Sequence, residues 1–290
     1  MAESSDGRKT ALARLQESNA LIYLFAFAFI AYLLTRHILL AFLSGVSLIS
    51  IFGLDILVGA STHGVKDELM ELAKAVAVAL VIWFGITVIL STSSPISGIV
   101  SCSLLPAYER GDMIILRGVP IGEINSPTVD LTAEELASIY RIANPPCGTI
   151  GPITYNCAES CPRVTFPGGK PASASQRCVR SITINSSSAN ATYDENLSND
   201  VIVYAPSVKG KYIAGDIIHR VFLKLRVDGK YFILTKGDNN DFMDASAFDI
   251  ISQADVKGRV LFRIPILGYL KLFISGYFAE PIGCDTALLH

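Results

Sequence analysis

Residues 75–90 read AVAVALVIWFGITVIL, with Thr87 the only polar side chain in the run. Flanking Ala73 and Ser91 bring it close to the roughly 20 apolar residues that span a bilayer. A soluble fold would have to bury such a helix on every side. The flanks differ in charge: residues 63–74 hold Lys66, Lys74, Asp67, Glu68 and Glu71, whereas residues 91–108 contain no lysine or arginine. The positive-inside rule therefore predicts a cytoplasmic side before residue 75 and an extracytoplasmic side after residue 91.

Upstream, residues 20–34 are apolar apart from aromatic hydroxyls, Arg36 and His37 interrupt, and residues 38–54 resume before Asp55 and an apolar patch to Ala60. A cytoplasmic N-terminus then calls for two earlier crossings. The polar tail, residues 1–19, carries Arg8, Lys9 and Arg14 but precedes no small-residue cleavage pattern, so a removable signal peptide is not expected. Three helices are predicted within residues 20–91, at about 20–35, 38–60 and 73–91. Hydrophobic residues make up 51% of the 290-residue chain and charged residues 17%, with a mean hydropathy of +0.44, in keeping with membrane segments. A net charge of −2 offers nothing for nucleic acid to bind.

Beyond the membrane region the pattern is mainly β. Short strands are predicted at residues 96–100, 111–118, 201–205 and 258–265, so residues 92–124 and 201–290 read as one β domain. Residues 125–200, rich in Pro, Gly, Ser, Asn and Cys, read as an inserted cap or subdomain. One helix is predicted there, at 132–142, with Thr132 as cap and Glu135 at the capping-box position. Cys147, Cys157, Cys161 and Cys178 lack the paired spacing of a zinc site, so two disulfides are expected, in any of three connectivities. Cys102 and Cys284 are left unpaired. Asn185-Ser186-Ser187, Asn190-Ala191-Thr192 and Asn196-Leu197-Ser198 are glycosylation sequons. Residues 266–278 are too short to span and are expected to pack on the domain or lie against lipid.

Residues 215–244 contain the strongest local signal. Asp228-Gly229 favours a two-residue hairpin turn, since both turn residues must take positive φ. Without a bulge, Val227 would face Lys230, Leu225 Phe232, Leu223 Leu234, Val221 Lys236, and His219 Asp238. Directly opposed side chains sit about 5 Å apart on one face. The hairpin would thus set an imidazole beside a carboxylate, either as half of a nucleophilic machine or as an ordinary cross-strand ion pair.

Four boxes then carry a resemblance. Ser101-Cys102-Ser103-Leu104-Leu105-Pro106, Gly111-Asp112, Gly215-Asp216-Ile217-Ile218-His219-Arg220-Val221, and Lys236-Gly237-Asp238-Asn239-Asn240 with Asp244 occur in order behind a membrane anchor. Together they resemble type I signal peptidases. His219 before Arg-Val is similar to the archaeal and endoplasmic-reticulum branch, and the segmented N-terminus suggests the archaeal side.

The resemblance implies a signal-peptidase-like β fold and a membrane-bound serine endopeptidase of the cell membrane, its catalytic domain extracytoplasmic. In that role it would remove signal peptides from exported preproteins. It makes Ser103 the nucleophile, His219 the general base, Asp238 and Asp244 the acidic partners, and Ser101 an oxyanion ligand beside the Ser103 N–H. Which aspartate orients the imidazole stays open, with Asp241 nearby. The partners it implies are signal peptides and membrane lipid, with accessory subunits unspecified and no metal or organic cofactor. Substrate would bind as an extended strand along residues 96–100, with small side chains at −1 and −3. Two departures stand out: Cys102 replaces the family's glycine and Leu104 its methionine. They leave Cys102 as a rival nucleophile, and leave open a membrane-anchored binding module or a protease of the same fold for a narrow class of surface precursors.

Overall fold

A computed structural model describes residues 14–277 except 36, 63, 140–145, 162, 166–169 and 172–176, together with Cys284. The described residues divide into two compact units, one holding 14–86 with 273–277 and the other 87–272 with Cys284.

The first unit is helical. Helices run over Ala20–Thr35, Ile38–Thr62 and, crossing into the second unit, Val65–Ile89. The last begins earlier than its apolar run, because Lys66, Asp67, Glu68, Glu71 and Lys74 form its first turns and suit a helix as well as a loop. Acidic Asp67 and Glu68 also complement the positive end of the helix dipole. Among the described residues two stretches, Leu39–Thr62 and Val65–Ile89, are long and apolar enough to cross a membrane; Ala20–Thr35 is apolar but shorter. None of the Val65–Ile89 side chains is buried in protein, the exposure expected of a helix whose solvent is lipid.

The second unit is mainly β, and its principal sheet runs in the order β1-β2-β16-β10-β13-β14-β15. These strands are β1 (Ile96–Gly98), β2 (Met113–Arg117), β10 (Val201–Tyr204), β13 (Ile217–Val227), β14 (Lys230–Lys236), β15 (Ile251–Ser252) and β16 (Val256–Ile264), with β3 (Thr128–Asp130) parallel to β13. The insert contributes a second sheet, β4 (Gly148–Ile150), β5 (Ile153–Ala158), β8 (Cys178–Asn185) and β9 (Asn190–Asp194), in sequence order. Small ladders pair β6 (Val164–Thr165) with β7 (Lys170–Pro171) and β11 (Ser207–Val208) with β12 (Lys211–Tyr212).

The insert does not build its own core. Ile153, Tyr155, Val179, Ile182 and Ile184 on its inner face pack in one cluster with Phe222, Leu223, Leu225 and Leu234 of the hairpin. Its sheet therefore covers one face of the principal sheet, while Ile121, Ile124, Ile202, Tyr204, Val221 and Ile233 fill the other face. Burial against a shared core supplies what the insert's thin composition could not.

Cys147 pairs with Cys157 and Cys161 with Cys178, which selects one of the three connectivities. Cys102 and Cys284, left unpaired on the sequence, form a third disulfide. Spacing could not reveal it, because 182 residues separate the two. The helix Ala133–Ile139 starts where the capping box placed it: Thr132 Oγ1 accepts from Glu135 N at 3.1 Å, and Glu135 Oε2 accepts from Thr132 N at 2.8 Å. The rest of its predicted span, 140–142, lies outside the described residues, as do residues 1–13 of the polar tail. Residues 268–274 form a short helix whose Tyr269 and Leu272 are buried in the second unit.

Candidate active site

The Asp228-Gly229 turn forms as expected, with both residues at positive φ. Near it the register also follows expectation, with Val227 opposite Lys230, Leu225 opposite Phe232 and Leu223 opposite Leu234. The pairing then shifts between Val221 and Leu223, so that Val221 faces Thr235 and Arg220 faces Lys236. This bulge overturns the expected pairing of His219 with Asp238, since one extra residue moves every following side chain to the other face.

The consequence is chemical. On the neighbouring side, Ile202 of β10 lies opposite His219 and Tyr204 opposite Ile217. Alternation then puts His219, Val221, Thr235, Ile202 and Tyr204 on one face. Asp244, at the start of a short 3-10 turn (Asp244–Ser246), reaches the same face. His219 Nδ1 donates to Asp244 Oδ2 at 2.7 Å, and both side chains are more than 90% buried. Tyr204 Oη and Thr235 Oγ1 donate to the same oxygen at 2.9 and 2.5 Å. Burial, and then the Asp244 charge, push the Tyr204 phenol well above its usual range, so it remains a donor.

A carboxylate only accepts, so Nδ1 carries the imidazole proton and Nε2 is left as an acceptor. Nε2 lies 3.0 Å from Ser103 Oγ, which is in turn 3.1 Å from Ser101 Oγ. Hydroxyl, imidazole and carboxylate thus form one continuous line. Each end is braced. The Ser103 carbonyl accepts from Asn239 N at 2.8 Å, and Asn239 Nδ2 donates to the carbonyls of Cys102 and Val164. Gly237 permits this approach, because a Cβ there would stand 2.7 Å from the Ser103 carbonyl oxygen. Asn240 Nδ2 lies 3.5 Å from His219 Nε2.

Asp238 faces away from the imidazole and is gripped by Arg220, Nε to Oδ1 at 2.8 Å and Nη2 to Oδ2 at 2.7 Å. Arg220 Nη1 also donates to the Asn199 carbonyl at 2.6 Å. Such a bidentate, buried pair fixes geometry without serving the site directly. Asp241 is likewise engaged, by Arg163 of the insert. Cys102 is buried and bonded to Cys284, so it has no thiol to offer as a nucleophile.

Sequence reasoning missed Tyr204 and Thr235. Neither falls in a box that carried the resemblance, and only strand pairing brings them to Asp244. It also missed the contact of the insert with Asn239 through Val164, whose amide donates to Asn239 Oδ1 at 3.0 Å.

No protein-family model matches the chain. It is similar to the signal peptidase complex catalytic subunit SEC11 of Metarhizium robertsii, 24% identical over 212 residues, covering 72% of this chain and 80% of that protein. The same subunit of Colletotrichum graminicola is 23% identical over 222 residues, 75% of this chain and 86% of that one. Over a shorter stretch of 86 residues, 28% of this chain and 48% of the relative, identity to the Sclerotinia sclerotiorum subunit reaches 36%. These relatives are fungal, whereas the segmented N-terminus had suggested the archaeal side. The chain is thus a homologue of the signal peptidase catalytic subunits, the branch to which its four boxes pointed.

Proposed function

We propose that this homologue of the signal peptidase catalytic subunits is itself a membrane-bound serine endopeptidase that removes signal peptides from exported preproteins. The observation that carries the reading is the unbroken contact from Ser103 Oγ through His219 to Asp244. Ser103 attacks the scissile carbonyl while His219 Nε2 takes its proton, and Asp244 stabilises the imidazolium so formed. His219 then protonates the leaving amine, and water, deprotonated by the same imidazole, releases the acyl group. The Ser103 N–H and the Ser101 hydroxyl stabilise the oxyanion.

β1 is the terminal strand of the principal sheet. Its outer edge, where Lys271 Nζ donates to the Ile96 carbonyl at 3.4 Å, suits an extended substrate, which would take over such backbone hydrogen bonds and be sorted by small pockets for its side chains. The charge asymmetry about residues 75–90 supports a β domain on the non-cytoplasmic side, and three disulfides suit that compartment. The names of the relatives support a further expectation, that the chain works beside other subunits of a complex.

The test is cleavage of a preprotein bearing an Ala-x-Ala signal by the detergent-solubilised protein, with Ser103→Ala and Cys102→Ala beside it. Activity lost with Ser103→Ala but kept with Cys102→Ala is the expected result. An intact protein that folds, is supplied with its membrane partners and still cleaves nothing would overturn the reading.

A further inference from the structure

The asparagines of the three sequons are not among the hydrogen-bond partners of Ser103, His219 and Asp244 given above, and the structure distinguishes between them. They lie on or beside the β8–β9 hairpin of the insert sheet. The inner face of that sheet is buried in the core; its outer face is a plane of hydroxyls. Thr149 pairs with Thr154, Thr154 with Thr183, and Thr183 with Thr192, which sets four threonines in one row across four strands. Thr149 and Thr154 hydroxyls meet at 2.9 Å, as do those of Thr183 and Thr192. Asn156 Nδ2 adds bonds to Ser181 and Thr183. Since side chains alternate, Asn190, Thr192 and Asp194 of β9 share that outer face, and all three are exposed.

We propose that Asn190 carries an N-linked glycan, resting on the reading above that the β domain lies on the non-cytoplasmic side. The alternatives are weaker. Asn196 folds into a closed turn in which its Oδ1 accepts from Ser198 N at 2.9 Å, so the sequon's own ends are joined. Asn185 stands directly opposite Asn190 in the ladder. At a separation of about 5 Å a glycan on one blocks the other, and the Asn185 sequon ends in Ser187, whose amide donates to Glu135. Asn190 instead begins a strand and has a threonine at its second following position, whose β-branch restricts χ1 and holds the hydroxyl with less entropy to lose.

In the transfer, Asn190 Nδ2 forms a bond to the anomeric carbon of a lipid-pyrophosphate-linked oligosaccharide. The carbon–oxygen bond to pyrophosphate breaks, the lipid pyrophosphate leaves with the electron pair, and the amide gives up one proton. β9 is the edge strand of its sheet, and a bulky hydrophilic group at its first residue obstructs pairing with another edge. Sugar hydroxyls laid along the threonine row meet hydroxyl donors and acceptors.

The experiment is translation of the full chain with rough microsomes, comparing the unmodified sequence with N185Q, N190Q, N196Q and T192V, before and after peptide N-glycosidase, with added protease on intact vesicles in parallel. The expected result is a single enzyme-sensitive mobility shift, kept in N185Q and N196Q and lost in both N190Q and T192V, on a β domain protected from protease. A protected β domain without a shift, or a shift that survives N190Q, overturns the glycosylation proposal and leaves the topology standing. Digestion of the β domain on intact vesicles overturns the topology itself, and the proposal with it.

Discussion

Asp244 Oδ2 receives the Nδ1 proton of His219 at 2.7 Å, although the loop after β14 offers Asp238 nearer in sequence. The two carboxylates therefore do separate work, and their replacement should fail in different ways. On the mechanism proposed above, Asp244→Asn removes the charge that would stabilise the imidazolium and is expected to lower kcat by roughly 10³–10⁴ with little change in Tm. Asp238→Asn leaves the buried Arg220 guanidinium uncompensated and should cost about 3–5 kcal/mol of stability. Rates and thermal melts of the two variants, measured together, check the division.

Tyr204 and Thr235 both spend a hydroxyl proton on the oxygen that holds His219. Each donor draws off carboxylate charge that would otherwise act on the imidazolium. Tyr204→Phe removes one of the two hydroxyl donors that fix this oxygen and should lower kcat with little change in KM. A variant with a lower Tm and an unchanged kcat would show that the phenol only packs.

Gly237 sits where the loop after β14 meets the serine turn, and a Cβ would press on the Ser103 carbonyl oxygen and on the Asn240 side chain. Gly237→Ala should displace the serine turn and reduce kcat more than KM. Titration of Ser103 with a hydroxyl-reactive inhibitor, slowed in the variant, is the check.

Tyr155 is buried, and its hydroxyl has no hydrogen-bond partner among the described residues. Burial drives its phenol far above the usual range, and that of Tyr204 in the same direction. The unfolded chain then loses these protons first, at about pH 10. Stability contributed by the neutral phenols is full below that pH and falls as pH rises beyond it. Tyr155→Phe should flatten this alkaline decline, and at neutral pH should be neutral or stabilising, because it removes an unsatisfied polar atom. Denaturant midpoints across neutral and alkaline pH decide it.

The Cys161–Cys178 disulfide closes the arm that carries Val164 to the Asn239 side chain. Replacing both cysteines with serine should cost about 2–4 kcal/mol, mainly through the unfolded chain. Alkylation before and after reduction should find the thiols of all six cysteines blocked until the reductant is added.

The amino-acid pattern determined a good deal by itself. The uncharged run at 75–90, the Asp228-Gly229 turn, the capping box at Thr132 and the serine, histidine and aspartate boxes are local signals, set by composition or by residues a few positions apart. The tertiary structure decided the rest. A bulge at Phe222 leaves no mark in periodicity, yet it rotates His219 onto the face of Tyr204 and Thr235 and hands Arg220 to Asp238. The Cys102–Cys284 bond and the insert's shared core likewise join segments far apart in the chain. Register and long-range pairing come from the balance of many weak contacts across strands, and no short stretch of sequence contains that sum.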